Sequence, residues 1–203
     1  HESLSVQILE IGADKNRLRH FLDVVEGIYA SDPAYVRPLD MEISDKLDAK
    51  KNPFFEHAEG TAWVAYKDGK PVGRVTAQID HEHLARHRDG AGFFGYLDTY
   101  DDPEVANALL DEAARWLKAR GMSRMRGPFS LSISEELGCL VDGFDRPPMI
   151  MMPHHRPYQS ELIEKAGLVK LKDFYAWRYI PGDVPVRAQK AHDEIAALPE
   201  IKA

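Results

Sequence analysis

One cysteine, Cys139, stands in 203 residues, so no internal disulfide can form, and the chain reads as a protein of a reducing compartment with the cytoplasm as its expected location. Basic runs are missing too. Lys and Arg number 26 against 33 Asp and Glu, a formal charge of -7, which argues against a nucleic-acid partner because phosphate recognition needs clustered cations. No apolar stretch is long enough to cross a bilayer, and the start, His1-Glu2-Ser3, has neither the basic nor the apolar region of a signal peptide; a soluble chain with no membrane partner is expected. Internal repeats and low-complexity tracts are also absent. What is present is 44% hydrophobic residues, enough to build the core of one compact domain.

Period-two alternation at Val6 and Ile8, stopped by Gly12, predicts a strand. Asp14 then caps a helix that buries Leu18, Phe21, Leu22 and Val25 and runs to about Tyr29, and a shorter helix is expected from Met41 to Leu47. Thr61 to Tyr66 and Pro71 to Ile79 flank Asp68-Gly69, the dipeptide that supplies the positive φ angles of a tight hairpin, and Gly92 to Leu97 adds a third antiparallel strand. Asp102 as cap, Pro103 at the first helical position and Gly121 as terminator frame the clearest helix. A strand over Ser123 to Phe129, a helix from Pro157 to Gly167 and a strand from Val169 to Ile180 complete an α/β (α+β) chain: a mixed, mostly antiparallel sheet flanked by helices. Met149, Met151 and Met152 read as filling of a core strand.

This order, with the run Pro157-Tyr158-Gln159-Ser160-Glu161-Leu162-Ile163-Glu164-Lys165-Ala166-Gly167-Leu168 before a strand, resembles the GNAT (N-acetyltransferase) superfamily, whose last helix carries a tyrosine near its start and ends in a similar Ala-Gly-Phe turn. The segments Lys51 to Glu59, Arg126-Gly127-Pro128-Phe129, Leu140 to Asp145 and Pro147 to His154 are similar to a bacterial group of GNAT-like proteins whose chains continue into a second GNAT-like half. The resemblance implies a GNAT-like domain over 1–180, a polar connector or tail over 181–203, and either homodimerisation or packing against that second half. It further implies N-acyl transfer from acetyl-CoA to a small amine or peptide amine. Backbone N–H groups near Tyr96 and Leu97 would hold the developing tetrahedral intermediate, Glu136 would assist amine deprotonation, and Tyr158 would protonate the departing thiolate.

One segment departs from the superfamily pattern. Its members place a QxxGxG or RxxGxG run between the fourth strand and the next helix, where main-chain donors and the helix dipole hold the pyrophosphate of acetyl-CoA. The corresponding run here, Leu97-Asp98-Thr99-Tyr100-Asp101-Asp102-Pro103-Glu104, has no glycine, lacks one N–H at Pro103 and carries four acids, so the usual pyrophosphate seat is expected to be degenerate. The alternative is a non-catalytic half that serves packing, dimerisation or ligand binding.

Each candidate also has a plainer role. Tyr158 fits packing against Leu162 as well as proton donation, and Glu135 and Glu136 fit a solvated turn as well as an amine site. His81, His83 and His87 lack the glutamate spacing of a zinc peptidase and read as a solvated loop, so no metal is expected. His154 and His155, between Pro153 and Pro157, read as a rigid lead-in to a helix, and Cys139 as buried and inert.

Overall fold

The computed structural model describes residues 5–132, 134–178 and 185–198. The chain divides into two compact units, His1–Lys170 and Leu171–Ala203. Among the described residues no helix is long and apolar enough to cross a membrane.

The first unit is built on a five-stranded sheet in the order β1 (Gln7–Glu10), β2 (Ala58–Lys67), β3 (Lys70–Asp80), β4 (Ala91–Thr99) and β5 (Arg124–Arg126). Neighbours are antiparallel except β4 and β5, which run parallel. The β2–β3 hairpin turns on Asp68 and Gly69, both at positive φ (50° and 69°), as an Asp-Gly turn requires. The helix α1 (Lys15–Ile28) is capped by the Asp14 carboxylate, which accepts from the amides of Asn16 and Arg17. The helix α2 (Asp40–Leu47) follows it, and Pro53–Glu56 forms a 3₁₀ turn.

Alternation along β2 places two cores on opposite faces of the sheet. Val64 and Tyr66 join Phe21 and Leu22 of α1 on one face, whereas Trp63 and Ala65 join Leu109, Leu110 and Leu117 of the helix α4 (Pro103–Ala119) on the other. Every residue of β4 is buried, which fits a strand sandwiched between two helices.

Between α1 and the sheet lies a charge pair. Arg74 of β3 donates through Nε (3.1 Å) and Nη2 (2.9 Å) to Asp98 of β4, with side chains only 7% and 10% exposed. Arg74 Nη1 donates to the Phe21 carbonyl (3.0 Å), and its guanidinium lies 4.8 Å from the centre of the Phe21 ring. Tyr29, at the end of α1, donates its hydroxyl to Asp98 and to the His154 carbonyl.

Several expectations change. The segment from His81 is a short helix, α3 (His81–His87), because the Asp80 carboxylate accepts from the amides of Glu82 and His83; it is not a loop. The strand after Gly121 is reduced to β5. The helix α5 (Gln159–Lys165) forms, but Val169 to Arg178 makes no strand, since an extended segment needs a ladder partner and none occurs there among the described residues. Its apolar side chains stay in solvent, with Val169 and Trp177 each 90% exposed. Tyr179 and Ile180, the expected end of that strand, lie outside the described residues. The methionine run is no core strand either: Met149 and Met151 are exposed and the neighbouring Ile150 is 92% exposed. The second unit carries a helix, α6 (Val186–Ala196), within the stretch read as a polar tail.

Breaking one half of a buried ion pair leaves an uncompensated charge and costs about 3–5 kcal/mol. Arg74→Met and Asp98→Leu are each expected to destabilise the first unit by about that amount in urea unfolding. The double variant should lose clearly less than the sum. Additive losses would show that the two charges do not stabilise one another.

Candidate functional site

The site starts from an irregularity in β4. Gly95 pairs with Thr76 and Asp98 with Arg74, so Tyr96 and Leu97 together oppose the single residue Val75: a bulge. Tyr96 takes φ 47°, a conformation that bulky side chains seldom adopt, and its ring lines a cavity while Leu97 turns into the core under α4. Beyond Phe93 and Arg126 the ladder between β4 and β5 ends, and the chain folds back over β4 through the cis Gly127–Pro128 bond. The Phe129 amide donates to the Phe94 carbonyl (2.8 Å), and the Phe129 carbonyl lies so close to Gly95 that a Cβ there would meet it at 1.7 Å. The buried Gln78 side chain anchors this fold-back by donating to the carbonyls of Phe129 (2.9 Å) and Leu131 (3.2 Å).

The cavity bordered in this way is open to solvent and measures about 60 Å³, and its polar lining includes Arg74, Tyr96, Asp98, Glu136, His154 and His155. That is room for roughly two waters or one ammonium head group. Burial pushes the Glu136 carboxyl above the usual carboxylate range against the pull of Lys46, which is itself paired with Glu135 at 2.8 Å. Burial also raises the Tyr96 phenol, to about 12. The Arg74–Asp98 pair is part of the wall, so the same interaction that joins α1 to the sheet polarises the cavity.

The two histidines that lead into α5 are buried parts of this site. His154 Nε2 lies 2.8 Å from Asp32 Oδ2, with side-chain exposures of 3% and 8%. Burial raises the Asp32 pKa, but the His154 ring, the Ala34 amide and Arg156 more than offset it, and the net position is below the usual value. His155 Nδ1 accepts from the Leu140 amide (3.1 Å), and burial lowers its pKa, which keeps the ring neutral near pH 7.

Of the four residues singled out in the sequence, Tyr96 and Glu136 share the cavity. Leu97 and Tyr158 are not among its lining residues. The Tyr158 hydroxyl donates to the Thr99 carbonyl at 2.6 Å, and burial raises its pKa to about 12. Beside it, Gln159 Oε1 accepts from the Thr99 amide (3.2 Å), which fastens α5 to the end of β4. Asp98, read as part of an acidic run, points into the protein and serves the cavity. Tyr29, Asp32, Arg74 and His154 gave no local signal: each is defined by a partner distant in sequence. His83 Nε2 contacts Asp89 at 3.0 Å, and among the described residues no group of three or more His, Cys, Asp or Glu is arranged to hold a metal. The Cys139 thiol is half-buried and raised to about 12 by burial.

The N-terminus of α4 is where the resemblance would place a pyrophosphate. Asp102 Oδ1 already accepts from the Glu104 amide (3.0 Å), Pro103 has no N–H, and Lys67 bridges Asp102 (2.5 Å) and Glu104 (3.1 Å). The free donors that would bind phosphate are taken by the chain's own carboxylate, and one lysine faces two acids. These residues do not fit a pyrophosphate.

Comparison with known proteins gives a consistent picture. The profile described as Acetyltransferase (GNAT) family matches residues 25–127. Protein YghO of Escherichia coli (strain K12) is 45% identical over 164 residues, 81% of this chain and 42% of YghO. The bacterial ceramide synthase of Caulobacter vibrioides (strain NA1000 / CB15N) is 42% identical over 176 residues, 85% of this chain and 46% of that protein. The chain therefore spans less than half the length of the curated relatives it matches. In structure it is similar to the aminoglycoside N-acetyltransferase AAC(6')-Iy in complex with CoA, with a TM-score of 0.52 and 14% identity over 88% of this chain and 97% of that one. The sheet with its bulged fourth strand, the helices on both faces and the matched profile agree, and the chain belongs to the acetyltransferase (GNAT) family.

Proposed function

We propose that this chain is the acceptor-binding part of an N-acyltransferase and that it seats the head group of an amphiphilic amine in the cavity beside Glu136. The observation that carries this reading is a small polar cavity with an apolar border. A space of about 60 Å³ admits a small head group. Val36, Pro38, Pro148 and Met152 belong to its lining, and along the same two segments Leu39, Met41, Met149, Ile150 and Met151 are left exposed. Water-exposed apolar side chains beside a polar cavity suit an amine that trails a hydrocarbon chain. The similarity to a bacterial ceramide synthase supports the same class, since a ceramide is the amide of a long-chain amino alcohol.

In this reading the Glu136 carboxylate attracts the ammonium, and the wall of Arg74 and Asp98 keeps the head group desolvated and oriented. The acyl donor's phosphates are held elsewhere than at the start of α4.

Calorimetric titration tests this reading with two probes, dodecylamine in nonionic micelles and butylamine. Dodecylamine is expected to bind at least about tenfold more tightly, and Glu136→Gln to weaken it by about tenfold, or about 1.4 kcal/mol. Affinity should rise with pH through the elevated Glu136 pKa, because only the carboxylate attracts the cation, and Glu136→Gln should abolish that limb. A folded-state carboxyl with a raised pKa loses stability as pH rises through that value, so Glu136→Gln should also raise the melting temperature at neutral pH more than at acidic pH. Acetyl-CoA added to this chain should give no heat. Unchanged amine affinity in Glu136→Gln, or tight acetyl-CoA binding here, defeats the reading.

A second reading, a half that packs against a second GNAT-like body, is favoured by one observation. Val169, Leu171, Tyr175 and Trp177 occupy odd-numbered positions of one segment and are all exposed, in a chain whose match spans less than half of its curated relatives. Replacing Leu171, Tyr175 and Trp177 together by Ser should reduce concentration-dependent association of this chain in sedimentation and lower the melting temperature of a polypeptide of the relatives' length. If neither changes, the segment is no docking element.

A further inference from the structure

We propose that His154, positioned by Asp32, is the base that removes a proton from the amine seated in the cavity, an assignment that rests on the acceptor reading above. Three features of the geometry lead to it. His154 is one of the residues that line the same cavity as Glu136 and Tyr96. Its Nε2 is 2.8 Å from a buried carboxylate that also accepts from the Ala34 amide (3.0 Å), which makes Asp32 a fixed acceptor and His154 Nε2–H the donor. In the neutral form of the ring the remaining nitrogen, Nδ1, carries a lone pair, and among the described residues it has no hydrogen-bond partner. Its main chain is held as well: the Tyr29 hydroxyl donates to the His154 carbonyl at 3.2 Å.

The step is a proton transfer. The ammonium N–H bond breaks, the proton passes to His154 Nδ1, and the electron pair stays on nitrogen; a neutral, nucleophilic amine and an imidazolium result. Asp32 stabilises that imidazolium, while Arg156, with Nη1 3.7 Å from the same Asp32 oxygen, limits how far it does so. Glu136 is the poorer base, since a carboxylate lies much further from an ammonium in proton affinity than an imidazole does. Its negative charge is better used to hold the cation. His155 completes the arrangement. With Nδ1 occupied by the Leu140 amide, the neutral ring carries its proton on Nε2 and offers a donor to an oxygen of the ligand, such as the hydroxyl of an amino alcohol.

Histidine-selective 15N NMR on this chain near pH 7 reads the tautomers directly. Without ligand, His155 should be neutral, and both rings should carry a proton on Nε2. Saturating dodecylamine should move the His154 Nδ1 signal toward that of an imidazolium and leave His155 neutral. Asp32→Asn, a change in the positioning residue, should mix the His154 tautomers and remove the shift, while amine affinity by calorimetry changes less than about threefold. A merely structural role for Asp32 would leave the tautomer as it is. A proton on His154 Nδ1 in the free protein, a ring already cationic there, or an unmoved signal at saturation overturns the assignment and leaves the acceptor reading standing. An absence of any dodecylamine heat defeats both.

Discussion

A guanidinium and a carboxylate taken out of water cost several kcal/mol each unless every polar contact is replaced. In this chain the replacement sets the geometry of the first unit. Arg74 needs Asp98 from the neighbouring strand, and it also takes the Phe21 carbonyl and the face of the Phe21 ring from α1. Asp98 takes a further donor from Tyr29, whose hydroxyl also reaches the carbonyl of His154. One buried pair therefore ties the first helix, two central strands and the segment before α5 to a common point. Apolar packing on either face of the sheet tolerates adjustment by a rotamer here and there; a buried charge network does not.

The cavity is a by-product of the same constraint. Tyr96 bulges out of β4 two residues before Asp98, and the fold-back at Phe129 seats on Gly95 because no side chain stands in the way. Glu136 then arrives on a loop held by the Ser130 amide, which donates to the Glu136 carbonyl at 2.9 Å, and by Gln78. The carboxyl is forced into a place where burial opposes its charge. A group held in that condition is destabilising by itself and becomes favourable only when a cation joins it, which is the usual physical mark of a site and not of a scaffold.

Legibility in the sequence followed the range of the signal. The hairpin was readable because Asp68-Gly69 carries its own turn, and α1 and α4 because Asp14 and Asp102 cap them locally. The strand expected after Val169 had the right alternation, yet a strand is completed by its neighbour, and none is supplied among the described residues. At Asp98 the misreading was one of direction: two residues before the acidic turn, it belongs to a buried strand that faces the other way. His154 and Asp32 are 122 positions apart, and nothing near either announces the other. The family resemblance singled out Tyr96, Glu136 and Tyr158, but it could not tell that the first two line one cavity while the third donates to a main-chain carbonyl.

The two ends of the sheet thus differ in what they leave unsatisfied. At the start of α4, Asp102 satisfies a first-turn amide, Lys67 balances Asp102 and Glu104, and Tyr158 and Gln159 close off Thr99. A helix terminus that has capped itself gains nothing from an external anion, because the anion would first have to displace a carboxylate already in ideal position. In the cavity the balance is reversed: burial opposes the Glu136 charge more than Lys46 and Arg74 support it, and His154 and His155 each keep one ring nitrogen without a hydrogen-bond partner among the described residues. Unmet demand for a positively charged, hydrogen-bonding group sits on one side and none for a phosphate on the other. That asymmetry is the physical argument behind the proposed acceptor role and behind looking beyond α4 for whatever holds an acyl donor.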